Sequence, residues 1–143
     1  MKATELLKKQ HRAVKKLFKD VESTENAKKR RTLLDEITQH LKLHTALEEG
    51  VFHPAVREFG TKKAEETIGE GVEEHHVVDL VLAELPKVDP EADTFVGKMT
   101  VLKEQIEHHV EEEEQEMFPM AEKRFGAEKS QELAREMEQQ AGA

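Results

Sequence analysis

The feature that most constrains this chain is a histidine followed four residues later by a glutamate, which occurs twice in similar surroundings. His44 and Glu48 form the first pair, His109 and Glu113 form the second, and a proline lies ten residues after each histidine. Residues four apart lie on the same face of an α-helix, about one turn from each other, so both side chains of a pair can reach one point. Two such pairs in 143 residues indicate a shared site between two helices.

Length and composition predict one folded domain. The chain has 143 residues, enough for one compact core, so we expect residues 1–143 to form a single domain. No stretch approaches the run of about 20 apolar residues that a membrane helix needs, and the N-terminus lacks the apolar centre of a secretory signal. We therefore expect a soluble, cytoplasmic protein. Because the chain has no cysteine, any bound metal must be held by nitrogen and oxygen ligands.

The charge of the chain argues against nucleic acid as a partner, and the lack of a long apolar stretch argues against a membrane partner. The net charge is −9, whereas nucleic-acid binding requires a basic face that neutralises phosphates. Residues 1–31 are nevertheless basic, with 11 lysines and arginines against 4 acidic residues. This segment is either a basic helix lying beside acidic ones or a docking surface for an acidic partner.

Apolar residues recur at steps of three and four along most of the chain, and no segment alternates as a strand does. Glycines, prolines and capping residues divide the pattern into helices over residues 4–22, 27–60, 61–86 and, from Asp89 or Asp93, to about 125. Thr4 is the expected N-cap of the first helix, and Gly50 with Pro54 should weaken or kink the second. The pattern predicts an all-α fold: an up-down-up-down antiparallel four-helix bundle with a short C-terminal fifth helix after Gly126.

The two halves of the chain repeat the same arrangement of histidines. His11 precedes His44 by 33 residues, and His75 and His76 precede His109 by 34 and 33 residues. The repeat favours His76, but the apolar stripe of the third long helix includes His75, and we expect His75 to be the inward residue. Each half would then supply one single histidine and one histidine–glutamate pair.

Six polar groups on inward faces need a reason to be buried. An unpaired buried polar group costs about 1–3 kcal/mol, which is large beside a domain stability of about 5–15 kcal/mol. Four imidazoles and two carboxylates exceed the three or four protein ligands usual for one zinc ion, so two ions sharing the carboxylates fit better. Iron and manganese suit such ligands, and zinc or cobalt remain compatible. The predicted ligands are His11 and His44 for one ion, His75 and His109 for the other, and Glu48 and Glu113 as bridges.

The remaining histidines and the acidic runs are expected outside this site. His40 lies one turn before His44 on the same face, and it is a structural residue, a partner of a ligand or a replacement ligand. His53 and His108 are expected at the surface or at the kink. The glutamates expected on a solvated face are Glu49, Glu112 and Glu114.

The order of these residues resembles the bacterial hemerythrin-like proteins with the HHE cation-binding domain. The resemblance covers nearly the whole chain up to about Phe125. It implies a four-helix bundle that holds two non-haem iron ions joined by an oxo or hydroxo bridge, with manganese or zinc as possible substitutes. The matching features are His11, the pair His44 and Glu48, His75 or His76, the pair His109 and Glu113, and Phe52 with Pro54 echoed by Phe118 with Pro119.

Two departures from the oxygen-carrying hemerythrins bear on function. Those proteins place a further histidine one turn before the ligand of the third long helix, where this chain has Gly71. Their second bridging carboxylate is an aspartate five residues after its histidine, whereas Glu113 follows His109 at four. The missing ligand predicts an open position on one iron. We therefore expect a protein that binds or senses O2 or a related small oxidant, such as peroxide or NO. The alternatives are a weak di-iron enzyme with peroxidase-like, catalase-like or NO-consuming activity, and a helical interaction protein with zinc or no metal.

Overall fold

A computed structural model describes residues 1–142 and confirms the all-α prediction: none of these residues lies in a β-strand. Four long helices are joined by short connections, and two further helical segments follow the second and the fourth of them. No helix among residues 1–142 is long and apolar enough to cross a membrane. Numbered in chain order, the helices are α1 (Ala3–Glu22), α2 (Ala27–Leu47), α3 (His53–Arg57), α4 (Lys62–Glu84), α5 (Asp93–Glu112) and α6 (Phe118–Gly142).

Capping residues set the starts of α2 and α4 where the sequence predicted them. The side chain of Asn26 accepts a hydrogen bond from the backbone N–H of Lys29, and that of Thr61 accepts one from Ala64. These bonds satisfy N–H groups that lack a partner in the first turn of a helix. Gly60, with φ of 68°, separates α3 from α4 as expected.

At two other helix starts, the capping residue suggested by the sequence does not cap the helix. Thr4 is not an N-cap: α1 begins at Ala3, and the Thr4 hydroxyl donates instead to Oε2 of Glu122 at 2.6 Å. α5 begins at Asp93, the later of the two predicted positions, because Asp89 Oδ1 accepts the N–H of Glu91 and forms a local turn before the helix.

Two apolar clusters show that neighbouring long helices run in opposite directions. The first joins the beginnings of α1 and α4 to the chain just beyond the ends of α2 and α5, and the second joins the opposite ends. This arrangement confirms the up-down-up-down bundle and leaves a buried layer between the clusters. Representative members are Leu7, Phe52, Ile68 and Phe118 in the first cluster, and Val21, Leu34, Leu85 and Phe95 in the second.

Each pair of histidine and glutamate ends in a π turn, in which one extra residue is added to the helix. The turns span Glu48–Phe52 and Glu113–Met117, and the N–H groups of His53 and Phe118 reach the carbonyl groups five residues earlier. A proline follows each of these donors and lacks the N–H that a regular helix would use next. The expected kink is therefore a π turn, repeated at the same place in both halves.

The last helix confirms the predicted fifth helix and packs against α1. Gly126, with φ of 76° and ψ of 167°, divides α6 into two helical parts at a kink. In the second part, Leu133 and Met137 are buried in the first apolar cluster. Ser130 is also buried, and its hydroxyl accepts the N–H of Ala3 at 2.9 Å. The C-terminal part of α6 therefore holds the start of α1 in place.

Candidate metal centre

All six predicted ligands lie together in the buried layer between the two apolar clusters. None is more than 8% exposed, and Glu48 has no exposed surface. Two long helices supply a single histidine each, and the other two supply a histidine in the last turn and a glutamate at the start of the π turn. The residues are His11, His44, Glu48, His75, His109 and Glu113.

The six side chains form two groups of donor atoms that share one carboxylate. His11, His44, Glu48 and Glu113 offer atoms that all lie within 4.8 Å of one another, and Glu48 forms a second such group with His75 and His109. Within each group the inner nitrogens are close: the two Nε2 atoms are 3.2 Å apart in both histidine pairs. The geometry thus offers two neighbouring cation positions.

Both carboxylates contact histidines of both halves. Glu113 Oε1 lies 3.1 Å from Nε2 of His11 and 3.4 Å from Nε2 of His109. Glu48 Oε1 contacts Nε2 of His44 and lies 3.8 Å from Nε2 of His75. A carboxylate that reaches both cation positions is suited to bridge them.

The outer nitrogen of each of the four predicted histidine ligands has a side-chain oxygen partner. When Nδ1–H donates to that oxygen, the Nε2 of the neutral imidazole presents a lone pair to the site, the form in which imidazole binds a metal. The bonds are His11 to Glu114 Oε2 at 2.7 Å, His44 to Gln10 Oε1 at 2.6 Å, His75 to Glu49 Oε2 at 2.8 Å and His109 to Glu74 Oε1 at 2.6 Å.

Sequence reasoning missed these partners. Glu49 and Glu114 were expected on a solvated face, yet each holds a histidine of a facing helix. A signal was present: a second glutamate directly follows each shared glutamate, and a glutamine or glutamate directly precedes each single histidine. The repeat therefore extends to the residues that orient the ligands.

The structure places His75, and not His76, in the site. His75 is 5% exposed, whereas His76 and His40 have exposed side chains outside the donor groups. His108 lies at the surface as expected, with Nε2 2.9 Å from Oε1 of Glu112, its half-buried neighbour.

Of the two positions predicted for His53, the surface or the kink, the structure shows the kink, directly after the π turn, with the side chain buried. Its side chain is 1% exposed, and its Nε2 lies 3.7 Å from Oε2 of Glu48. In a regular helix a residue five positions after Glu48 would point about 140° away from it, because each residue turns by about 100°. The extra residue of the π turn reduces that angle to about 40° and turns His53 inward.

The space beside Gly71, predicted to be open, is filled by imidazole rings. A Cβ atom on Gly71 would lie 3.8 Å from Cε1 of His109 and 3.9 Å from Nε2 of His53. The absence of a side chain at this position therefore accommodates a neighbouring histidine.

The buried carboxylates of the site favour a positive charge beside them. Burial lowers the pKa of His44, but the carboxylates of Glu48 and Glu113 outweigh burial and raise the pKa to about 9. Burial also opposes the charged form of His109, and the carboxylates of Glu113 and Glu74 raise its pKa to about 11. Without a metal, protons on these two histidines balance the buried carboxylates.

Two carboxylate oxygens in the site lack a hydrogen-bond donor. Oε2 of Glu48 and Oε2 of Glu113 are buried and have no hydrogen-bond partner within residues 1–142. Buried polar atoms are normally paired, since leaving one unpaired costs about 1–3 kcal/mol. Metal cations next to these oxygens and to four neutral imidazoles would satisfy them, so the donor set fits a pair of cations.

A small cavity adjoins the inner ends of the histidines. Its volume is about 30 Å³, and all four predicted histidine ligands line it together with Val14, Leu41, Val78 and Ile106. A surface groove of about 290 Å³ between α1 and α5 shares His11, Val14, Ile106 and Val110 with it. The cavity and the groove are therefore neighbours, with these four residues lining both.

Comparison with known proteins agrees with the geometry. Residues 2–121 match the hemerythrin HHE cation-binding domain. Uncharacterized proteins of Mycobacterium tuberculosis and Mycobacterium bovis are 30% identical over 120 residues, which cover 83% of this chain and 71% of each relative. The crystal structure of a hemerythrin HHE cation-binding domain-containing protein from Mycobacterium kansasii has a TM-score of 0.84 at 26% identity, and the match covers 98% of this chain and 85% of that one.

Proposed function

The chain belongs to the hemerythrin HHE cation-binding domain family, and we propose that it holds two non-haem iron ions and binds or senses O2 or a related small oxidant such as peroxide or NO. The observation that carries the proposal is the convergence of four Nε2 atoms and two shared carboxylates, with every outer nitrogen already paired. A set of imidazoles and carboxylates without cysteine favours iron or manganese.

Each residue has a defined part in this assignment. His11 and His44 hold one ion, and His75 and His109 hold the other. The carboxylates of Glu48 and Glu113, which contact histidines of both halves, would be shared by the two ions and would balance their charge. When bound, two such iron ions would supply electrons for reaction with a small oxidant, chemistry that no side chain of this protein supplies alone.

The cavity sets the size of the ligand. A cavity of about 30 Å³ exceeds the roughly 10–15 Å³ needed to hold one water molecule, so the space admits a molecule of two or three atoms. Val14, Leu41, Val78 and Ile106 line it together with the polar Gln10 and Thr45. The protein thus contributes a space of restricted size next to four imidazoles.

The test is the reaction of iron-loaded, reduced protein with O2, NO and peroxide in a stopped-flow spectrometer. We expect a change in the absorption spectrum within seconds for at least one of the three, and none in protein depleted of metal. A reduced, iron-loaded protein whose spectrum stays constant with all three would contradict the proposal. Repeated turnover of peroxide would assign an enzyme, whereas a single event per site would assign a binding or sensing protein.

A further inference from the structure

We propose that His53 is a fifth imidazole ligand of the metal centre, bound to the ion held by His75 and His109. The inference rests on the function proposed above and concerns a residue outside the six predicted ligands. His53 is the first residue of α3 and directly follows the π turn that begins at Glu48.

The surroundings of His53 leave both ring nitrogens without a partner. The residue is 1% exposed, and neither Nδ1 nor Nε2 forms a hydrogen bond within the part of the chain that the structure describes. Its Nε2 lies 3.7 Å from Oε2 of Glu48, which is also unpaired. That distance is too long for a hydrogen bond. It is suited to two ligands of one ion, which lie about 3–4 Å apart when each is about 2.0–2.2 Å from the ion. His53 lies outside the group formed by Glu48, His75 and His109, whose donor atoms are all within 4.8 Å of one another, so ligation requires its ring to move toward that group.

The other half of the site shows that packing alone does not require a histidine here. The ring of His53 stacks on His75 with centroids 6.0 Å apart and planes 9° apart. Phe118, five residues after Glu113 as His53 is after Glu48, stacks on His11 at 5.7 Å and 8°. A phenyl ring therefore fills the equivalent position beside His11. Packing does not explain why residue 53 has two ring nitrogens, whereas ligation of a metal ion does.

Gly71 makes the position of His53 possible. A Cβ atom on Gly71 would lie 3.9 Å from both Cε1 and Nε2 of His53, so a long side chain there would occupy the space of the imidazole ring. Gly71 is one turn before His75. His53 thus reaches from the π turn into the space that a side chain at Gly71 would occupy.

The test is a metal titration of His53→Phe, the substitution that makes this half resemble the other. We expect metal-free His53→Phe to melt at the same temperature as the wild type or higher, because two unpaired buried nitrogens are removed. We also expect its affinity for the second of two Co²⁺ or Fe²⁺ ions, measured by chelator competition, to fall at least tenfold. A histidine with only a packing role would not lower metal affinity while preserving stability. The exposed His76→Phe is the matched control and should change neither quantity.

A second pair of variants keeps the test valid if the phenyl ring disturbs the fold. His53→Ala should lose affinity for the second ion, and His53→Ala with Gly71→His, which returns an imidazole to the facing position, should regain most of it. His53→Asn, which can hydrogen-bond to Glu48 but has no imidazole, should behave like His53→Ala.

Three results would overturn the inference. Wild-type affinity for both ions in His53→Phe would show that no ligand was lost and would leave the two-metal function standing. Wild-type affinity in His53→Asn would show that the residue only donates a hydrogen bond to Glu48. A folded wild-type protein that binds neither ion would refute the proposed function together with this inference.

Discussion

Glu114 accepts a hydrogen bond from Nδ1 of His11 at 2.7 Å, although Glu114 lies in an acidic run and directly follows the shared carboxylate of Glu113. The bond fixes both the ring orientation and the nitrogen that carries the proton. We predict that Glu114→Gln lowers metal affinity about 10–100-fold, the usual effect of losing a partner that orients a metal ligand. Chelator competition measures it. Glu111→Gln, an exposed change one turn earlier, is the control, and equal affinities in the two variants would refute this role of Glu114.

The same reasoning applies to the second half through Glu49, which holds Nδ1 of His75 at 2.8 Å. We predict that Glu49→Gln weakens metal binding by a similar factor of about 10–100. Combined with Glu114→Gln it should cost more than either change alone, since the two residues orient histidines of different ions. A double variant no weaker than one single variant would argue against two separate positions.

Metal loading should release protons. At pH 7 the metal-free site holds His44 and His109 largely protonated, because the carboxylates raise their pKa values to about 9 and about 11. A metal ion binds only the neutral imidazole, so we predict the release of about two protons per chain on full loading at pH 7. Calorimetry in two buffers with different ionisation enthalpies counts them. A binding heat that does not depend on the buffer would contradict the prediction.

The raised pKa of His44 also determines how the stability of metal-free protein depends on pH. Folding raises this pKa from 6.5 to about 9, so the protonated form stabilises the fold. The contribution is fully present below about pH 6.5 and is lost as the pH rises through about 9. We therefore predict that the midpoint of urea unfolding of metal-free protein falls between pH 6.5 and 9.5. Metal-loaded protein, whose imidazoles are neutral, should lose less over that range.

The attachment of α6 should affect stability without affecting the metal centre. Ser130 is fully buried and links the N–H of Ala3 to Oε2 of Glu122. Ser130→Ala leaves that N–H without a partner, and we predict a loss of about 1–3 kcal/mol in the free energy of unfolding with unchanged metal content. Ser23→Ala at the exposed end of α1 should cost less than about 0.5 kcal/mol. Loss of metal from folded Ser130→Ala would show that α6 also shapes the site.

The cavity beside the histidines should control access of small oxidants. Val14 lines it, and Val14→Leu adds one methylene to a space of about 30 Å³. We predict slower reaction of reduced, iron-loaded Val14→Leu with NO or O2, with an unchanged iron content. Val21→Leu, in the second apolar cluster away from the cavity, controls for the general cost of overpacking, about 1–3 kcal/mol. Equal rates in Val14→Leu and the wild type would exclude the cavity as the binding space.

Much of the bundle and the inner site could be predicted because both follow from the spacing of residues on helix faces. The i, i+4 spacing of His44 and Glu48 and the apolar stripe through His75 are local properties, and the repeat brings in His11 and Glu113. The kinks expected near Pro54 and Pro119 are also at the right places, where the two π turns lie. Metal ligation itself remains a prediction for all six residues.

Other features depend on structure that the local pattern does not contain. Glu114 has the composition of a solvated face, and only the packing of the π turn against α1 shows that it holds His11. His53 would point outward in any regular helix, so its burial follows from the extra residue of the π turn. The space beside Gly71 was judged from the missing side chain alone, whereas a residue from another helix fills it.

Iron analysis of protein purified from iron-supplemented cells tests the central claim most directly. We predict two iron ions per folded chain in the wild type and in the exposed variant His40→Ala, and at most one in His44→Ala. Circular dichroism would establish that all three are helical. A folded wild-type protein that carries no iron, or a His44→Ala variant that keeps two iron ions, would contradict the account.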